Sequence, residues 1–124
     1  MNPVERAALA LVGVRFRPHG RDPRSGLDCV GVAALAAGVQ APAGYALRGG
    51  DPGAIGERIR NAGLEPAQEA RAGDVLLMRA GPGQLHLAVK TAHGFVHADA
   101  GLGRVVERPG DPEWEVLSIW RRLS

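Results

Sequence analysis

Ser25-Gly26-Leu27-Asp28-Cys29-Val30-Gly31-Val32 is where a polar loop gives way to an apolar run, and the only cysteine of the chain stands at the junction. Asp28 suits the N-cap of a helix, because its carboxylate can accept from the free N–H groups of the first turn. From Val30 to residue 37 the chain is apolar all round, which predicts a helix buried on every side. Cys29 then falls in the first turn. Free N–H groups and the positive end of the helix dipole favour a thiolate there, so the expectation is a thiol pKa below the ordinary value. His86 and His97 follow downstream on strand-like segments. One thiol at a helix start and two strand histidines suggest a nucleophile, its base and a group that orients the base.

Working outward, Asn2, Pro3 and Glu5 read as N-cap, N1 and N3 of a first helix, with Val4, Ala8 and Leu11 along one face and Gly13 at its end. Residues 14–27 read as a basic loop rich in glycine and proline. The Asp28 helix stops at Gly38. Residues 39–50 read as loop, and Asp51-Pro52 opens a short helix with Ile55 and Ile59 facing inwards and Gly63 closing it. After Pro66 the period changes. Short runs at 75–78, 85–89, 94–98, 104–107 and 114–120 are separated by Gly, Pro or Asp turns. Helices first and then an antiparallel meander of about five strands predict an α+β fold.

A length of 124 residues predicts a single domain over 1–124. Such a chain can bury roughly two thirds of its unfolded surface, enough for one core. Hydrophobic content of 45% and charged content of 23% are ordinary for a globular protein. The net charge is +2, and nearly all of the positive charge is arginine. This is a mild bias towards anionic surfaces such as cell-wall polymer. It is not a nucleic-acid footprint, because no Lys/Arg block with interleaved aromatics occurs. One cysteine makes no internal disulfide. Met1-Asn2-Pro3-Val4-Glu5-Arg6 and the short apolar stretch behind it read as a helix and not a signal peptide, so synthesis in the cytoplasm is expected. No apolar run is long enough to insert in a membrane.

His86, Ala88 and Lys90 share one strand face, and Phe95 and His97 share another. An even-numbered loop between the strands puts both histidines on one side of the sheet. A loop centred between Thr91 and Ala92 makes them direct cross-strand neighbours, with Cβ atoms about 5 Å apart. A turn at His93-Gly94 sets His97 opposite Lys90 instead. In either register Cys29 reads as nucleophile, His86 as base and His97 as the group that fixes the imidazole tautomer. The Cys29 backbone N–H is the natural oxyanion donor. Blander roles stay open: an apolar-flanked cysteine also suits an inert core position, and a strand histidine also suits a satisfied or exposed one. A zinc site from Cys29, His86, His93 and His97 lacks the CxxC and HExxH spacings, so neither metal nor cofactor is expected. His19 and His93 read as loop residues, Asp28 first as a helix cap, and Asp74 and Asp99 as turn residues.

The segment from Gly13 to Gly31 resembles the N-terminal motif of NlpC/P60 cell-wall peptidases, G-x-P-Y-x-x-G-G-x-x-P-x-x-G-F-D-C-S-G. Gly13, Gly20, Pro23, Gly26, Asp28, Cys29 and Gly31 match it in register without a gap. Ala72-Gly73-Asp74-Val75-Leu76 is similar to the family's P-G-D-L-V, and Leu85-His86-Leu87-Ala88-Val89 to its H-V-G-I-Y. Phe95-Val96-His97-Ala98, followed by Gly103-Arg104-Val105-Val106-Glu107, is similar to its strand with the third catalytic residue. The resemblance implies a papain-like fold and hydrolysis of amide bonds in peptidoglycan stem peptides, with Cys29, His86 and His97 catalytic and no cofactor. The short form without a signal peptide resembles phage-tail and gene-transfer-particle members, which implies particle proteins as partners and local opening of the wall during delivery.

Departures from the motif matter for the site. Phe16 stands for tyrosine, His19 for the first glycine of the pair, and Val30 for the serine after the cysteine. In some branches the acid and serine flanking the cysteine bind a free substrate amine, and here only Asp28 remains. Asp28 and Phe16 are the expected substrate-side residues. A related thiol amidase or acyl-transfer enzyme, and a tail module of the same fold without turnover, are the competing readings.

Overall fold

The computed structural model describes residues 1–43 and 46–122; positions 44 and 45, within the loop expected over 39–50, lie outside the described residues. Helix α1 (Pro3–Ala10) starts where its cap was expected: Asn2 Oδ1 accepts from the Val4 and Glu5 N–H groups at 2.7 and 3.2 Å. Glu5 does not turn back to the cap. Its buried carboxylate accepts the Ala92 N–H at 2.7 Å, tying the helix to a distant hairpin.

Helix α2 (Cys29–Ala37) is capped by Asp28, whose Oδ1 accepts the Gly31 N–H at 2.8 Å. It ends at Gly38, in the left-handed region at φ 69°. Every residue of α2 except Leu35 is buried, as its all-round apolar sequence requires. Helix α3 (Pro52–Asn61) is capped by Asp51 and turns Ile55 and Ile59 inwards.

The loop before α2 folds back as a minimal hairpin of β1 (Arg21–Asp22) and β2 (Gly26–Leu27). Two motif glycines are explained by close backbone approach. A Cβ on Gly31 would collide with the Gly20 carbonyl oxygen, and one on Gly20 with the Gly26 carbonyl oxygen. His19 takes φ 59°, a left-handed conformation that suits the glycine of the motif better than a histidine. The fold keeps the glycine-type backbone there, so that the His19 N–H reaches Asp28 Oδ2 at 3.1 Å.

Six further strands form one antiparallel sheet: β3 (Leu64–Ala67), β4 (Val75–Gly81), β5 (Gln84–Lys90), β6 (Gly94–Asp99), β7 (Arg104–Pro109) and β8 (Glu115–Arg122), in spatial order β3-β8-β4-β5-β6-β7. The architecture is α+β, as expected, with two corrections. The sheet has six strands and not about five, because the short run 64–67 pairs along one edge of β8. Pro66 is tolerated there as an edge residue. Nor is the sheet a simple meander: β4 to β7 follow one another, and β8 returns to the other side of β4.

Alternation divides the strand residues between two faces. Leu77, Leu85, Leu87, Val89, Val96 and Ala98 join Leu27, Val30, Val32 and Ala33 in the main core under α2. Leu76, Met78, Ala88 and Phe95 form a smaller cluster with Trp114 and Ile119. Fully burying one such aliphatic side chain stabilises the fold by about 1.5–3 kcal/mol. Asp74 is also buried. It pairs with Arg121 through two bonds of 2.9 and 2.8 Å and accepts the Arg71 N–H at 2.8 Å, so it clamps β4 to β8 besides shaping a turn.

Candidate active site

The hairpin between β5 and β6 has a register that neither sequence alternative named. Val89 faces Val96 and Lys90 faces Phe95, and there the β5–β6 ladder stops. Helix α2 packs against both of these strands. The expectation that His86 and His97 share a side is met: His86 Nε2 and His97 Nδ1 lie 2.9 Å apart.

Cys29 is at the first position of α2 and is buried. Its expected low pKa is corrected by the structure. Burial pushes the thiol up to about 12; the Leu87 and Val30 N–H groups pull the other way and the Asp28 charge adds to the rise. Desolvation of the anion outweighs the helix terminus here. The resting group is a thiol, lying against the backbone of Leu87, the neighbour of His86.

His86 is held low, at about 4, first by burial and next by the nearby His97. The Trp114 ring meets it edge-on at 5.3 Å between centroids and meets His97 at 5.5 Å. His97 is itself buried, which lowers its pKa. Its Nε2 accepts from Arg108 Nε at 3.2 Å. Arg108 Nη2 in turn donates to Asp99 Oδ2 at 2.8 Å, and this bond holds the Asp99 carboxyl below the usual carboxylate range. At neutral pH the site therefore contains a neutral thiol and two neutral imidazoles.

Asp28 stands beside this group with its carboxylate engaged. It caps α2, accepts the His19 N–H and pairs with Arg21 Nη1 at 2.6 Å. Phe16 is half-buried; it bridges Leu27 and packs against the main core. His93 lies exposed on the β5–β6 turn. A groove of about 750 Å³ runs beside α2, lined by His19, Arg21, Asp28, Leu35, Gln40 and Arg48 among others. It is of a size to take a short peptide segment.

Asp99, Arg108 and Trp114 are the site residues that sequence reasoning missed. Asp99 follows His97 by two residues, so strand alternation would have put both on one face. Arg108 needs the β6–β7 register, in which Phe95 faces Arg108. For Trp114 no local signal exists.

No family model and no curated protein matches this chain. Solved structures do match. The peptidoglycan hydrolase RipB of Mycobacterium tuberculosis superposes with a TM-score of 0.62 at 22% identity, covering 98% of this chain and 64% of that one. The chain thus spans just under two thirds of that relative. The NlpC/P60 domain of the peptidoglycan hydrolase SagA gives 0.59 at 20% identity, over 99% of this chain and all of the other. The P60 domain of an M. avium subspecies paratuberculosis antigen gives 0.61 at 18%, over 97% and 91%. The fold is that of NlpC/P60 domains, with helices packed on a mostly antiparallel sheet.

Proposed function

We propose that this chain, which has the NlpC/P60 fold, is a cysteine peptidase that hydrolyses amide bonds in the stem peptides of peptidoglycan. The observation that supports it most is the pair His86–His97, joined at 2.9 Å on the two strands against which the cysteine helix packs. Two solved structures of this fold are of peptidoglycan hydrolases.

In this reading the thiol is activated on demand. A substrate carbonyl seated at the start of α2 takes a hydrogen bond from the Cys29 N–H. His86 accepts the thiol proton as the sulfur attacks the carbonyl carbon. The imidazolium then gives that proton to the leaving amine, and a thioester remains on Cys29. His86 next takes a proton from water, the hydroxide attacks the thioester, and the proton returns to the sulfur. Burial and the adjacent His97 hold the His86 pKa at about 4, so the ring is neutral at neutral pH and not already an imidazolium when substrate arrives.

The test is digestion of purified peptidoglycan by the wild type and by Cys29→Ala, with mass spectrometry of the released muropeptides. Release by the wild type alone, with new amine and carboxyl ends in the stem peptide, supports the reading and identifies the bond. No release by either protein would leave the chain a module of this fold without wall-hydrolase activity.

A further inference from the structure

Both ring nitrogens of His97 are engaged. Nδ1 lies 2.9 Å from His86 Nε2, and Nε2 lies 3.2 Å from Arg108 Nε. A guanidinium has donors and no acceptor, so the second bond has one possible direction: Arg108 donates, and His97 Nε2 has no proton. His97 is buried and neutral, and a neutral imidazole has one ring proton. That proton therefore sits on Nδ1 and is donated to His86 Nε2. His86 Nε2 is then bare, and the single proton of neutral His86 sits on its own Nδ1. Both rings are Nδ1–H tautomers.

In this arrangement the base is blocked. The only lone pair of His86 is spent on His97, and the nitrogen left for the thiol already has a proton. We propose that Arg108 is a positioning residue that locks His97, and through it His86, in the Nδ1–H form, and that the base becomes competent when Arg108 withdraws and Asp99 accepts from His97 Nε2 in its place. The inference rests on the reading of Cys29 as nucleophile and His86 as base.

The second arrangement has the same two protons. One sits on His97 Nε2, facing Asp99. The other sits on His86 Nε2, donated to the now bare His97 Nδ1. His86 Nδ1 is then free to receive the thiol proton, and the imidazolium that results is stabilised through His97 by a carboxylate. Asp99 is poised for this. Its Oδ2 is 3.8 Å from His97 Nε2 and is at present taken by Arg108 Nη2 at 2.8 Å. The exposures say which part moves: the Arg108 side chain is 49% exposed, against 14% for Asp99 and 3% for His97. The neighbouring charges act on His97 in the matching directions, Asp99 favouring its protonation and Arg108 opposing it. Phe95 and Trp114 set aromatic rings against His97, at 5.4 and 5.5 Å between centroids. A hydrogen bond from a charged donor favours the blocked tautomer by about tenfold to a hundredfold.

Long-range proton–nitrogen correlation spectra of the ¹⁵N-labelled protein at pH 7 read the tautomers directly, with no need for turnover. The wild type should show His97 and His86 protonated on Nδ1. Arg108→Ala should move both protons to Nε2. Arg108→Lys, which keeps the charge and loses the Nε donor, should move them in the same direction. In the same samples, Cys29 alkylation by iodoacetamide should be about tenfold faster or more in Arg108→Ala than in the wild type. A wild-type His97 already protonated on Nε2, or Nδ1–H tautomers retained in both variants, would overturn the proposal. A tautomer that moves as stated, in a protein that never releases muropeptides, would support the Arg108 assignment while removing the peptidase reading.

Discussion

Acidification should unfold this protein through His86, and the size of the effect can be worked from its environment. The ordinary histidine pKa is 6.5, and the folded site holds His86 at about 4 because burial and the adjacent His97 oppose its charge. Between those two values the unfolded chain binds a proton that the folded chain refuses. Stability therefore rises with pH across this window and falls as pH drops through it. Above pH 7 both states are neutral and the group contributes little. By pH 4.5 the unfolded state should have gained about 2.5 kcal/mol from this one proton, since each pH unit of full difference is worth roughly 1.4 kcal/mol. His97 acts in the same direction. Asp99 has its carboxyl pKa lowered by Arg108, so it loses its contribution only on acidification below the histidine window. The assay is urea unfolding of the wild type and His86→Gln at pH 7.0, 5.5 and 4.5. The glutamine variant keeps a polar side chain without the titration. Its stability should fall less with acid than that of the wild type, by about 2 kcal/mol between the two ends. Parallel pH profiles for the two proteins would refute the account of His86 as a buried, neutral base.

Four further outcomes are expected. His86→Ala should lower wall hydrolysis by about 10²–10⁴-fold while the protein stays folded, measured as muropeptide release per unit of folded protein; near-normal release would remove His86 from the mechanism. Native Cys29 should react with iodoacetamide more slowly than the unfolded chain at pH 8, because burial holds the thiol up at about 12; faster native alkylation would show that the helix terminus wins after all. Asp74→Ala should cost about 1–2 kcal/mol in denaturant unfolding, since it frees the Arg71 N–H and opens the β4–β8 clamp, while the partly exposed Arg121 keeps its bond to the Glu69 carbonyl; a loss within 0.5 kcal/mol or so would reduce the clamp to a surface pair. His19→Gly should stabilise by about 0.5–1 kcal/mol through relief of the left-handed backbone, offset in part by glycine's freedom in the unfolded chain; a lower melting temperature would mean that the histidine side chain holds the loop.

What the sequence determined by itself was local. Asn2, Asp28 and Asp51 named the helix starts, Gly38 named an end, and an all-apolar run placed Cys29 at the mouth of a buried helix. Each signal works within four or five residues, because caps and dipoles act over one helical turn. The motif glycines were equally legible, although only the contacts of Gly20 and Gly31 show what they do. Alternation put His86 and His97 on one side of the sheet, but no local feature chose between registers, and the one found, Val89 against Val96, was neither alternative. The same holds for β8, whose place beside β4 depends on strands far apart in the chain. The tertiary structure alone decided the electrostatics. The dipole argument for a thiolate was sound for an exposed helix end, and burial reversed it, since desolvation is set by everything packed around the sulfur. Arg108 and Trp114 reach the histidines only once the sheet and the turn before β8 are in place. Local order is written in neighbours along the chain; register, desolvation and proton position depend on neighbours in space.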